Sequence, residues 1–173
     1  MVPRRERLRA AAKLQREMQE QHGESVEGAM AQAWAASGRT RAERTYREAM
    51  ARNSGQRFSV SDVILPERLL HPEETVLDVA VGGLSADTFP LLLVTDRRVI
   101  LTIDQPWRRW PAKREAPLAE VVGAEVVPFF LLGRLRVRLR QDKDIKLKLG
   151  AQERPKEVAA LINRLVSEGT APR

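Results

Sequence analysis

Cysteine is absent from this 173-residue chain, and only two histidines occur, His22 and His71. Without thiols there is no disulfide framework, zinc ribbon, iron–sulfur cluster or thiol nucleophile. Two histidines could still anchor a metal, but no carboxylates converge on them at ligand spacing. Long apolar runs are missing too. Residues 89–94 and 126–132 are the most apolar stretches, far below the ~20 residues that a spanning helix needs. The first residues, Met1-Val2-Pro3-Arg4-Arg5, have the basic start of a signal peptide but no apolar segment after it. A cytoplasmic chain is therefore expected. No Ser/His/Asp order, glycine-rich phosphate loop or paired-carboxylate motif is present, so the expected function is non-enzymatic and needs no cofactor.

The chain does contain enough apolar material, 43% of its residues, to bury one core with an appended segment. Its net charge is +7, from 30 Lys and Arg against 23 Asp and Glu, and this charge is unevenly spread. Residues 1–57 carry 12 basic and 7 acidic groups, 58–96 carry 1 and 7, 97–148 carry 13 and 6, and 149–173 carry 4 and 3. Two basic blocks favour an anionic partner surface, against the plainer reading of a solvated basic face.

Periodicity divides the chain near residue 57. Helical spacing runs over 4–21, from Ser25 to Gly38, and again after Thr40, where Thr40-Arg41-Ala42-Glu43 fits a capping box and Ala42, Tyr46, Ala49 and Met50 form a narrow apolar face. These faces are thin, so the region must pack on something else or stay partly mobile. Asn53-Ser54-Gly55 reads as a linker. A short helix at 66–70 precedes strands at 75–81, 88–95 and 99–103, with Gly82-Gly83 and Asp96-Arg97-Arg98 as turns. Residues 115–122 and 124–127 read as two short strands or one bent at Gly123. Residues 134–140 alternate Arg with Leu or Val, and 145–149 alternate again, which predicts a hairpin with one apolar and one basic face. Finally Val158, Leu161, Ile162, Leu165 and Val166 follow helical spacing between Pro155 and Gly169. The expected class is α+β: antiparallel strands closed by a C-terminal helix, with no βαβ alternation.

In that order of elements, Leu91-Leu92-Leu93-Val94-Thr95-Asp96-Arg97-Arg98-Val99-Ile100-Leu101 and, later, Pro117-Leu118-Ala119-Glu120-Val121 stand before the basic hairpin and the last helix. Over residues 66–166 the chain resembles the bacterial pleckstrin-homology-like family, related in shape to PH and GRAM modules. The resemblance implies a bent antiparallel sheet or partly open barrel capped by the C-terminal helix, and a binding or assembly role. The expected organisation is a helical N-terminal extension (1–57), a PH-like domain (58–168) and a flexible tail (169–173). Asp96 also has a structural reading, as the cap of a turn that Arg97 or Arg98 neutralises.

Three patches are candidates for function. On the hairpin, Arg134, Arg136, Arg138 and Arg140 share a face with Lys146 and Lys148. Asp142 and Asp144 fall at the turn, so the cations are expected to repel one another unless an anion binds; the plainer reading is an edge protected by charge. Trp107-Arg108-Arg109-Trp110 lies between Pro106 and Pro111 and suits a membrane interface or base stacking, or else packing over a sheet edge. Phe129, Phe130 and Leu131 suit an interface or a corner of the core. Together these point to peripheral binding to anionic lipid headgroups. A protein-assembly module that forms homo-oligomers through its sheet edges is the alternative, and nucleic-acid binding by the N-terminal helices is a weaker one.

Overall fold

The computed structural model describes residues 38–53, 65–66, 68–83, 89–104, 110–129, 132–149 and 154–170. The helices expected over 4–21 and 25–38 lie outside the described residues, apart from Gly38. The described elements are α1 (Arg41–Ala51), β1 (Val76–Val81), β2 (Phe89–Thr95), β3 (Arg98–Asp104), β4 (Ala112–Pro117), a 3-10 turn (Leu118–Glu120), β5 (Val121–Phe129), β6 (Leu132–Leu139), β7 (Ile145–Lys148) and α2 (Arg154–Thr170). The strands form two antiparallel sheets, β1-β2-β3-β4 and β5-β6-β7, that do not join into one continuous sheet.

The four-stranded sheet is covered on both faces. Toward the second sheet it sends Ala80, Leu92, Val94, Val99 and Leu101, which meet Ala124, Leu135, Val137, Ile145 and Leu147, and α2 closes this core with Val158, Ala159 and Ile162. On the other face, Val76, Val79, Val81, Leu91, Leu93 and Ile100 pack against Ala42, Tyr46, Ala49 and Met50 of α1. A strand with two buried faces has no polar side to show, which is why 91–94 reads as an unbroken apolar run.

The expected capping box forms with one displacement. Thr40 Oγ1 accepts from the Glu43 amide at 3.1 Å, while the Glu43 carboxylate accepts from the Arg39 amide at 2.6 Å instead of from the cap residue itself. The next free donor of the first turn, the Ala42 amide, is taken by the Pro72 carbonyl at 3.1 Å. Thr45 Oγ1 accepts from the Val76 amide at 2.9 Å, which locks the helix to β1. α1, which the sequence reading assigns to the N-terminal extension, thus supplies much of the layer that covers this face of the sheet.

Asp78 follows a bulge in β1, where the register shifts between Val76 and Asp78. Its carboxylate receives Arg154 Nη2 at 2.8 and 2.7 Å, and Arg52 Nη2 lies 3.5 Å away. Arg52 also bonds the Leu77 carbonyl at 2.6 Å. One carboxylate thus joins α1, β1 and α2.

Three boundaries differ from the sequence reading. The strand expected at 115–122 begins at Ala112 and stops at Pro117, where a ring that cannot donate to the ladder gives way to the 3-10 turn. β5 then runs unbroken through Gly123, whose φ of 158° marks a bulge and whose missing side chain leaves room for Asn163 Oδ1, 3.0 Å from where a Cβ would stand. Asn163 uses that space to accept from the Ala124 amide at 2.8 Å and donate to the Ala124 carbonyl at 2.9 Å, tying α2 to the edge of the sheet. Gly82 stands in the β1–β2 connection as read, its amide on the Pro90 carbonyl at 2.9 Å, and it is also where the two sheets meet: a Cβ there would sit 2.8 Å from both Leu147 Cδ1 and the Lys148 carbonyl oxygen. Gly169 does not end the last helix, which continues to Thr170; of the expected tail, 171–173 lie outside the described residues.

The α2 ridge is also rotated slightly from the expected one. Val158 and Ile162 are fully buried, whereas Leu161 and Leu165 are partly buried against the core's margin. Ile162→Ala is therefore expected to cost about 2–5 kcal/mol as a core truncation, and Leu161→Ala distinctly less. Equal shifts in urea midpoint for the two variants would contradict this placement.

Candidate functional site

β6 alternates as its sequence requires. Leu135 and Val137 are fully buried, and Arg134, Arg136 and Arg138 stand on the opposite face. The register sets Arg134 opposite Lys148 and Arg136 opposite Lys146, while on the other side Val127, Glu125 and Gly123 pair with Arg134, Arg136 and Arg138. Arg134 and Arg138 are four residues apart, roughly 13 Å along the strand. Arg140 lies just past the strand, exposed, with its amide on the Glu120 carbonyl at 2.8 Å.

The acids are not confined to the turn, which corrects the sequence reading. Arg136 Nε donates to Asp144 Oδ2 at 2.5 Å, and its Nη1 stands 3.7 Å from Glu125 Oε1. Asp142 accepts from the Lys143 amide at 2.6 Å and from Arg114 Nη2 at 2.8 Å; Arg114 Nη1 reaches the Asp144 carbonyl at 3.1 Å. The bond from Arg136 holds the Asp144 carboxyl below its ordinary value, and the Lys143 amide, with Arg114 beside it, does the same for Asp142. Both acids stay ionised and brace the β6–β7 turn against β4. Arg136 is thus neutralised from within. Arg138, Lys146 and Lys148 are exposed and have no ion pair among the described residues.

The other sequence candidates separate. Trp110 is 2% exposed, in the cluster beneath α1, with a left-handed φ of 50°. Burial removes it from any surface patch, against the membrane-interface reading and in line with the alternative of packing on the sheet. Trp107, Arg108 and Arg109 lie outside the described residues, as do Phe130 and Leu131. Phe129 ends β5 opposite Leu132, so residues 130 and 131 alone connect the two strands.

The Thr95-Asp96-Arg97-Arg98 segment proves structural in a way that sequence spacing does not show. Asp96 Oδ1 accepts from the Thr75 amide at 3.0 Å, and Thr95 Oγ1 accepts from the Arg97 and Arg98 amides at 3.1 and 3.0 Å. Arg98 neutralises Glu74, not Asp96. Its Nε and Nη2 meet the two oxygens of that fully buried carboxylate at 3.0 and 2.9 Å, Nη1 reaches Glu115 at 2.6 Å, and Nη2 also bonds the Leu69 carbonyl at 2.7 Å. Beside this clamp lies an open cleft of about 290 Å³ lined by His71, Arg97, Arg98, Glu115, Ala116 and Pro117. Its residues come from distant parts of the chain, so no local pattern announces it.

Among the described residues, no group of three or more His, Asp or Glu is placed to hold a metal ion, and no helix is long and apolar enough to cross a membrane. No protein-family model matches the chain, and neither a curated protein nor a solved structure is significantly similar to it.

Proposed function

We propose that this chain is a PH-like binding module that docks on anionic membrane surfaces through the outward face of β6 and β7. The observation that carries the reading is the set of exposed cations Arg138, Lys146 and Lys148, held on a braced sheet without ion pairs among the described residues. Ordered cations facing water gain most from a surface that supplies phosphates. The PH-like assignment draws support from the division into four and three antiparallel strands with α2 packed on their core.

Assembly through sheet edges has less behind it. Edge strand β4 is bounded by Pro111 and Pro117, is broken in register between its pairs at Leu101 and Thr102, and carries Lys113, Arg114 and Glu115; β7 has only four residues and presents Lys146 and Lys148. Short, charged, interrupted edges resist pairing with another sheet.

Sedimentation with phosphatidylserine vesicles, with neutral phosphatidylcholine vesicles as the control, tests the proposal. Arg138→Glu with Lys148→Glu is expected to weaken binding at least ~30-fold, at about 1 kcal/mol per cation, with an unchanged melting temperature. Raising salt from ~0.05 to ~0.5 M should release the wild-type protein. Wild-type protein that ignores anionic vesicles at low salt would defeat the reading.

A further inference from the structure

The cationic face has a charge layout that says which property of a membrane it reads. Five cations, Arg134, Arg136, Arg138, Lys146 and Lys148, share the face or its margin with two carboxylates, Glu125 and Asp144, for a net charge of +3. The middle rung, with Asp144 beside it, is neutral: Arg136 faces Lys146 on one side and Glu125 on the other. The cations without an ion pair among the described residues are Lys146 in that rung and, in the outer rungs, Lys148 on one side and Arg138 on the other. These side chains rise from a regular pleated surface, about 5 Å apart across strands and ~7 Å apart along them. A site that recognises one headgroup converges polar groups from several segments into a concavity. This face spreads its charge over a plane.

We infer that the β6–β7 face responds to the charge density of a fluid anionic bilayer rather than to the stereochemistry of a single headgroup, and that Glu125 sets its threshold by offsetting Arg136. The inference rests on the membrane reading above. Glu125 is exposed and lies 3.7 Å from Arg136, too far for a strong bond. Asp144 already holds Arg136 in place at 2.5 Å. The carboxylate of Glu125 is therefore dispensable to the fold, and its main effect is to subtract one charge from the face. Removing it leaves a net +4 and should favour any anionic plane brought against the sheet.

The test compares wild-type protein with Glu125→Gln and Lys146→Gln. Vesicles carry phosphatidylserine, phosphatidylglycerol or phosphatidylinositol at matched surface charge, in series of increasing anionic content. Glu125→Gln is expected to bind about five-fold more tightly and Lys146→Gln about five-fold more weakly, the fold-change of one charge at a membrane surface. The three lipids should bind wild-type protein within about two-fold of one another, with binding rising more steeply than linearly in anionic content. Soluble glycerophosphoserine should not compete. If wild-type protein binds but strongly prefers one lipid at matched charge, is displaced by the soluble headgroup, or gains nothing from Glu125→Gln, the density inference falls while membrane docking stands. Absence of binding to all three lipids, or tighter binding to a DNA or RNA duplex at the same salt, overturns both.

Discussion

Arg98→Ala is expected to destabilise the fold by about 3–5 kcal/mol, the usual consequence of leaving a buried charge without its partner. Glu74 is fully buried and takes two bonds from Arg98. Burial by itself pushes the Glu74 carboxyl up, yet the bond from Arg98, aided by Thr95 and the His71 amide, prevails and holds it below its ordinary value. The guanidinium in turn is raised, chiefly by its bond to Glu74. A carboxyl depressed by folding stabilises the protein above its unfolded value, and that contribution is lost as pH falls through the folded one. In Arg98→Ala only burial remains as the dominant influence on Glu74, and the variant can relieve its unpaired charge by protonation. Urea melts should therefore show the largest gap between wild type and variant near neutrality and a smaller gap in acid. A gap that is constant with pH, or below about 1 kcal/mol, would refute the clamp as a buried ion pair. Lysine should not rescue, because a single ammonium cannot match the two carboxylate oxygens while also reaching Leu69 and Glu115.

Removing residues 1–53 is expected to abolish cooperative folding of the remainder. The deletion strips α1 from Val76, Val79, Val81, Leu91, Leu93 and Ile100, all buried at present, and exposes one contiguous apolar face of the first sheet. Tyr46→Ala, at the centre of that contact and fully buried, is expected to cost about 3–5 kcal/mol by itself. Circular dichroism melts with light scattering would measure both effects. A truncated chain that is monomeric and melts at the wild-type temperature would show that α1 is an ornament on a self-sufficient core.

Much of this architecture is written locally. The Arg/Leu alternation of β6, the buried face of α1 and the span of α2 follow from period and caps, which depend on residues two to four apart. Other features are tertiary and escape such a reading. Nothing near Tyr46 says which sheet it covers, although the unbroken run Leu91-Leu92-Leu93-Val94 signals that some element must cover the second face. Trp110 looks like a loop residue between charges until Pro111 and Thr102, whose hydroxyl donates to the Pro111 carbonyl at 2.8 Å, fix the return of the chain beneath α1. In the candidate site, the cations were legible and their counter-ions were not. Asp144 follows the turn in sequence, yet its side chain reaches back eight residues to Arg136, and Glu125 enters only through the pairing of β5 with β6.

Asp78 gives the molecule a redundancy between its two ends. Arg52 approaches its carboxylate from the C-terminus of α1, and Arg154 grips it from the first turn of α2, 76 residues further along. Closing a loop of that length costs about 4 kcal/mol of chain entropy, which the bonds from Arg154 help to offset. While either guanidinium remains, the carboxylate keeps a counter-ion; once both are gone, it stands nearly buried with the Val79 amide, at 2.9 Å, as its remaining donor. The first loss is therefore cheap and the second expensive, and the N- and C-terminal helices, on different sides of the sheet, fail together rather than in turn.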